Sequence, residues 1–228
     1  MGKVDAMDEP NMHQIQSYLD SRSSNYRRAL KKIKSRLEEY WQYDSCGCIA
    51  LYRVASRGDY QFGHELKTAQ SIYIKIVDKR KTGNPSYNID DVEDIIGLRL
   101  VCVYPSDVGL VLSFLESLHS NGFFDFYRVE LQEKDTGYKA YHVNVALPEI
   151  SLKDYKCEIQ AVTMLEETWS YKAHDLIYKP SEALSQEQKE QAVILSDMLH
   201  ACDQQSQVLQ KQITKSAEEE NQRKELAK

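Results

Sequence analysis

At 228 residues the chain can hold one domain with a sizeable core, together with a helical appendage. Its 29 lysines and arginines against 35 aspartates and glutamates give a formal net charge of −6, which argues against a non-specific nucleic-acid binder but leaves room for a local basic patch. Five cysteines, an odd number of which only Cys46 and Cys48 lie close together, at a gap shorter than the usual zinc spacing, read as reduced cytosolic thiols.

Residues 1–12 read as a flexible start. The opening MGKVDAMDEPNMHQ has neither the basic nor the apolar block of a secretory leader, and Ala6 stands where a myristoylation signal needs Ser or Thr. No later apolar run approaches the roughly 20 residues that span a bilayer, so the expected location is cytoplasmic, with no membrane partner. From Asn25 to Tyr43, Tyr26, Leu30, Ile33, Leu37, Tyr40 and Trp41 form a helical apolar stripe. Its other side carries Arg27, Arg28, Lys31, Lys32, Lys34 and Arg36 with no acid until Glu38; most such runs are solvated helix faces.

CIALYRVASRGDYQFG reads as a strand with turns, and SIYIKIVDKRKTG as a short helix stopped by Gly83 and Pro85. DDVEDIIGLRLVCVYP runs from a polar start into the buried strand LRLVCVY, and SDVGLVLSFLESLHSNG is a helix with Ser106 as its N-cap and a glycine at its end. FYRVELQ, YHVNVAL and YKCEIQAV are three further strands. A helix around Trp169 follows, then a C-terminal helix bearing Val193, Leu195, Leu199, Val208, Leu209 and Ile213, and a charged, frayed tail KSAEEENQRKELAK. The expected fold is α/β (α+β): a mixed central sheet of about five strands flanked by helices, with N-terminal and C-terminal helices. The expected organisation is one domain over residues 13–180 and a helical extension over 181–228.

Several polar residues sit where packing gives them little reason to be. Lys67, Ser71 and Lys75 recur at spacings of four, so one helix face presents two ammonium groups around a hydroxyl, and Lys79, Arg80 and Lys81 add charge one turn on. Asp94 lies at the mouth of a buried strand with Arg99 beyond it. KDTGYKAYH gathers Lys134, Tyr138, Lys139 and His142 around Gly137. Glu158 opens the last core strand, a costly place for a carboxylate unless a cation or donors pair with it. Singly, each has an ordinary explanation: a solvated helix, a turn, a cap, a solvent-facing strand position. Together they supply what phosphoryl-type transfer needs, namely cations for polyphosphate, two carboxylates for a divalent metal and an aromatic to stack on a base. Neither GxxxxGK[ST] nor GxGxxG occurs, which argues against a P-loop or Rossmann nucleotide site.

The order K…S-I-Y-x-K, D-I-I-G-L-R, K-x-T-G-Y-K-A-Y-H, then E-I-Q with W-x-x-x-x-H-x-x-x-Y-K resembles the RelA/SpoT synthetase domain from Leu51 to Lys179. With no hydrolase or regulatory domain attached, the chain is similar to the small alarmone synthetases and their toxin branch. The resemblance implies that Mg²⁺-bound ATP donates its β,γ-pyrophosphate to a ribose 3′-hydroxyl. It makes Asp94 a metal ligand, and Glu158 a residue that helps hold metal and activates the acceptor hydroxyl. Lys67, Ser71, Lys75 and Arg99 match positions that grip ATP phosphates and adenine. Tyr138 matches the aromatic that stacks on the acceptor base, with Lys134, His142 and Gln160 around the acceptor. Trp169, His174 and Tyr178 match the helix behind the site, where His174 is expected to pack.

Three positions depart from the family pattern. Glu65 stands where an ATP-binding arginine is common, an anion near triphosphate unless it turns away; Lys79 and Arg80 are the candidate replacements. Val162 stands in place of another arginine, and Glu167 where an amide that contacts guanine is usual. These changes weaken the case for ordinary GTP or GDP as acceptor. Three readings follow. In the favoured one, the 3′-terminal adenosine of tRNA is the acceptor, Arg27, Arg28, Lys31 and Lys32 meet the RNA backbone, and a neutralising antitoxin is the partner. In the second, a free guanine or adenine nucleotide is the acceptor and a homotetramer the expected assembly. In the third, the chain is an inactive binding module, which the presence of Asp94, Tyr138 and Glu158 disfavours.

Overall fold

The computed structural model describes residues 11–43, 51–60, 63–133, 137–173, 175–176 and 184–226. Helix α1 (Met12–Tyr43) precedes strand β1 (Leu51–Ser56), the one-turn helix α2 (Arg57–Tyr60) and helix α3 (Ala69–Lys81). A 3-10 turn (Ile89–Asp91) leads to β2 (Ile96–Cys102), α4 (Pro105–Ser120), β3 (Phe126–Glu133), β4 (Lys139–Ala146), β5 (Cys157–Thr163), α5 (Met164–Ala173) and α6 (Gln186–Leu226). The strands form one sheet in the order β1-β2-β5-β4-β3, with β2 and β5 parallel and every other pair antiparallel. This is the mixed, helix-flanked sheet expected from the sequence.

Two expected ends shift. Met12 already belongs to α1, where Ile15 and Leu19 extend the buried stripe of Tyr26, Leu30, Ile33 and Leu37. The tail expected to fray is helical through Leu226. The cap predicted at Ser106 also moves: α4 begins at Pro105, whose fixed φ and missing N–H suit a first helical position. Asp107 then accepts the Tyr104 amide at 3.1 Å, and the Ser106 amide donates to Gln207 Oε1 of α6 at 3.1 Å.

Strand β2 is buried along its whole length, as a central strand with a parallel neighbour should be. Ile96, Leu98, Leu100 and Cys102 join the main core with Ile33 of α1, Ile72 and Ile76 of α3 and Leu115 of α4. Alternate residues point to the other face. There the register aligns Gly97, Glu158 and Asn144 in one row and Arg99, Gln160 and His142 in the next. Tyr138, Val101, Ala140 and Val162 form an apolar patch beside them. One face therefore holds the core and the other carries rows of polar side chains.

Helix α6 docks on α5 through Trp169, Ala173, Ala192 and Leu199. Where α5 leaves β5, the Thr163 hydroxyl donates to buried Asp203, and the Thr163 amide donates to Glu166 Oε2 at 2.7 Å. Burial raises the carboxyls of both Glu166 and Asp203 above their ordinary values, against the lowering effect of the Thr163 bonds. An acid raised by folding contributes stability below its unfolded value and loses it as pH rises through the folded one. The thermal midpoint of the parent should therefore fall, relative to that of Asp203→Asn, as pH rises from about 4 to about 7. A constant difference across that range would argue against a buried, raised carboxyl.

Candidate active site

Asp94 sits just before β2, and both of its oxygens are engaged: Lys67 Nζ lies 2.5 Å from Oδ2 and Lys75 Nζ 2.8 Å from Oδ1. Thr68 starts α3 by accepting the Ser71 amide at 3.2 Å, and from there the helical repeat aims Lys75 and Ser71 at one side. Burial acts to raise the Asp94 carboxyl, but the two ammonium groups outweigh it and hold the carboxyl well below the usual range. The lysines themselves diverge. Burial lowers Lys67, which also feels Lys75 and Arg57, whereas for Lys75 the Asp94 carboxylate outweighs burial and raises it. The pair also differs in its neighbours: Lys75 and Arg57 lower Lys67, whereas Tyr87 and Glu158 raise Lys75.

Lys67, Ser71 and Lys75 line an open cavity of about 480 Å³ together with Arg57, Ile74, Asp78, Lys79 and Thr82. Such a volume is typical of a small-molecule site. The structure bears on two positions singled out in the sequence. Glu65 turns to α1 and pairs with Arg27 at 3.0 Å, so its charge is countered outside the cavity lining. Arg80 donates to the Tyr87 carbonyl at 2.7 Å and does not line the cavity, whereas Lys79, four residues after Lys75, does. Arg57, the first residue of α2, was not singled out in the sequence. It lines the cavity and donates to the Asp94 carbonyl at 3.0 Å.

Glu158 meets the polar groups of the second site. His142 Nδ1 is 3.0 Å from its Oε2, and Gln160 Nε2 donates to Oε1 at 2.9 Å. Burial acts to raise this carboxyl, but the His142 contact outweighs it and the net shift is down. A proton on Nδ1 leaves Nε2 of neutral His142 to accept from the Tyr138 hydroxyl, 3.2 Å away. The Tyr138 ring is only 9% exposed, and burial raises its hydroxyl well above the ordinary value. It does not present an open face in this state, so base stacking requires the ring to turn out of its packing with Val101, Ala140 and Val162.

Arg99 ties the two halves together. Its Nε and Nη2 donate to Gln160 Oε1 at 3.2 and 2.8 Å, Nη1 lies 3.6 Å from Glu167, and the guanidinium stacks over Tyr60 at 4.3 Å. Glu167 also takes Arg53 at 2.7 Å, so it anchors two arginines. Burial raises the Tyr60 hydroxyl to about 12. A Cβ on Gly97 would lie 2.9 Å from the Tyr60 hydroxyl and 3.1 Å from Arg57 Nη2, so glycine is what admits both residues to the sheet. Tyr60 has no role assigned from the sequence, where the glycine of IIGLR was the available signal; Glu167, expected only as a departure from a guanine-contacting amide, anchors two arginines here.

The cations of α1 lie apart from this face and are largely partnered. Lys32 pairs with Glu149, Arg28 donates to Ser151 at 2.8 Å and Lys34 lies 3.3 Å from Asp59, while Lys31 is exposed. Trp169 is buried in the α5–α6 seam. Lys134, His174 and Tyr178 lie outside the described residues.

Asp94 and Glu158 are hard oxygen donors, and the Asp94 charge acts to raise the Glu158 carboxyl. Among the described residues no group of three or more His, Cys, Asp or Glu forms a closed metal cage. Mg²⁺ commonly takes one or two carboxylates and completes its shell with phosphate oxygens and water. The pair therefore suits, by its chemistry, an ion that would bring phosphate oxygens and water of its own.

A family pattern described as a region found in RelA / SpoT proteins matches residues 64–183. The chain is 27% identical over 167 residues to GTP pyrophosphokinase YjbM of Bacillus subtilis (strain 168), covering 68% of this chain and 71% of that protein. Its fold is shared with small alarmone synthetase 1 from Bacillus subtilis bound to its product pppGpp, at a TM-score of 0.66 and 22% identity over 89% of this chain and 99% of that one. A GTP pyrophosphokinase family protein from Streptococcus pneumoniae gives a TM-score of 0.66 at 23% identity, over 89% and 96% of the two chains. The matched region contains Lys67, Asp94, Arg99, Tyr138, His142 and Glu158 and spans more than half of the chain, which therefore belongs to the RelA/SpoT family.

Proposed function

We propose that the protein is a Mg²⁺-dependent pyrophosphokinase that transfers the β,γ-pyrophosphate of ATP to the ribose 3′-hydroxyl of a guanine nucleotide. The observation that carries this reading is the cation-lined cavity whose Lys67 and Lys75 both hold Asp94, close enough to Glu158 for the two carboxylates to feel each other. Lys67, Lys75, Lys79 and Arg57 offset the charge of the triphosphate, and Ser71 offers a hydroxyl to its oxygens. Magnesium held by Asp94 and Glu158 would supply further charge compensation along the polyphosphate. The acceptor 3′-oxygen forms its bond to the β-phosphorus while the bond from that phosphorus to the α,β-bridging oxygen breaks, and AMP leaves. The hydroxyl proton passes to Glu158, whose carboxylate is kept ionised by His142 and Gln160.

The guanine nucleotide is preferred as acceptor on two grounds. A relative is named a GTP pyrophosphokinase, and a structural neighbour was solved with pppGpp. The α1 cations that favoured tRNA are engaged by Glu65, Asp59, Glu149 and Ser151, which weakens their claim on an RNA backbone. The test is incubation of the protein and γ-³²P-labelled ATP with GDP, GTP, ATP or deacylated tRNA. Label is expected in GDP or GTP. Label in tRNA alone would restore the toxin reading, with its antitoxin partner, and no label in any acceptor would leave a binding module.

Tyr138→Ala should lose acceptor binding by about 1–3 kcal/mol, the worth of one stacked base, with ATP affinity retained. Tyr138→Phe should keep most of that binding because only the hydroxyl to His142 is lost. Isothermal titration of each nucleotide checks both, and equal losses for donor and acceptor in the alanine variant would mark a structural role.

A further inference from the structure

The Ser196 hydroxyl of α6 donates to the carbonyl of Gly137 at 2.6 Å, across 59 residues of chain. Gly137 has φ +78°, a conformation that favours glycine, and it lies directly against the helix: a Cβ there would come within 2.4 Å of Ser196 Cβ and 3.6 Å of Val193 Cα. The next residue is Tyr138, whose hydroxyl reaches His142 and, through that ring, Glu158. On its other side α6 is fixed to the body. Buried Asp203 takes the Thr163 hydroxyl, and Ala192 and Leu199 pack on Trp169.

We propose that Ser196 is a positioning residue for the acceptor, acting through Gly137 on Tyr138, so that the C-terminal helix is part of the acceptor site. This rests on the pyrophosphokinase reading only for the identity of the acceptor. The ring of Tyr138 turns to meet a base, and the backbone from which it turns is pinned by a helix that touches neither substrate. The donor cavity is lined from α2 and α3 and from Lys67, with no α6 residue, so the pin acts on one substrate and spares the other.

The experiment compares the parent with Ser196→Ala, which removes the hydroxyl, and Ser196→Thr, which restores one. Loss of one neutral hydrogen bond predicts a rise of about five-fold in the KM for GDP or GTP, with the KM for ATP unchanged and the threonine variant returning toward the parent. Hydrogen exchange at the Tyr138–Tyr141 amides should accelerate in Ser196→Ala while exchange in α3 does not change. A GDP or GTP KM that is unchanged or lower, or exchange at Tyr138–Tyr141 that matches the parent, overturns the proposal. If the parent transfers no label to any acceptor, the pyrophosphokinase reading falls. The exchange comparison then decides the pin alone: faster exchange in Ser196→Ala upholds it and equal exchange overturns it.

Discussion

Glu158→Gln should keep its fold and lose pyrophosphate transfer by about 100-fold or more, the scale of a major electrostatic contribution to catalysis. Glutamine preserves the volume and an oxygen for the Gln160 amide, which donates to Glu158 at 2.9 Å, but it cannot accept the hydroxyl proton or offset a cation. Asp94→Asn should show the same loss of transfer together with a loss of stability. Its carboxylate is the shared counter-charge of Lys67 and Lys75, and removing one partner from a buried ion pair costs on the order of 3 kcal/mol. For a chain of this size that corresponds to a fall in the thermal midpoint of about 6–12 °C. Label transfer and thermal unfolding, measured on both variants, separate the two effects. Transfer at the parental rate in both would remove the two carboxylates from the chemistry.

Arg99→Leu is expected to be the most damaging change on this face outside the two carboxylates. The arginine side chain is 7% exposed and is held by Gln160, Glu167 and the Tyr60 ring together. Leucine leaves Glu167 with Arg53 alone and removes two donors from Gln160, which in turn steadies Glu158. The expected cost is on the order of 3 kcal/mol of stability, again about 6–12 °C, with transfer lost in parallel. Arg99→Lys keeps the charge but neither the forked hydrogen bonds nor the stacking, so it should fall between leucine and the parent. A midpoint for Arg99→Leu equal to that of the parent would show that the row of contacts is not structural.

The sheet and its helices were legible because periodicity is a local property: the apolar run of β2 and the α1 stripe are set by residues a few positions apart. Lys75 was legible for a related reason, since a spacing of four places Lys75 and Lys79 on one helix side. Lys67, expected on the same helix face, lies just before α3 and reaches Asp94 from there, and Arg80, one step past Lys79, turns to Tyr87. Arg57 and Tyr60 were not legible, because their approach depends on a bare glycine in another strand. The partners of the α1 cations were also hidden. Glu65, Asp59 and Glu149 are acids brought to the helix only by the closed fold, so in a sequence run that reads as uniformly basic Arg27, Lys32 and Lys34 are in fact ion-paired.

Those pairs change how ionic strength should be interpreted for this protein. They are exposed or half-exposed contacts, each worth roughly 0–1 kcal/mol, and added salt screens them over a Debye length of about 10 Å at 0.1 M. Salt can therefore weaken these contacts of α1 with no RNA present, while its buried apolar stripe stays in place. Displacement of counterions from RNA has a different form: a logarithmic dependence on salt with a slope of about −0.7 to −0.9 per phosphate contacted. Activity toward a free nucleotide supplies the baseline, because its salt response contains the helix pairs and nucleotide binding but no RNA contact. Only an excess slope with tRNA over that baseline belongs to Arg27, Arg28, Lys31 and Lys32.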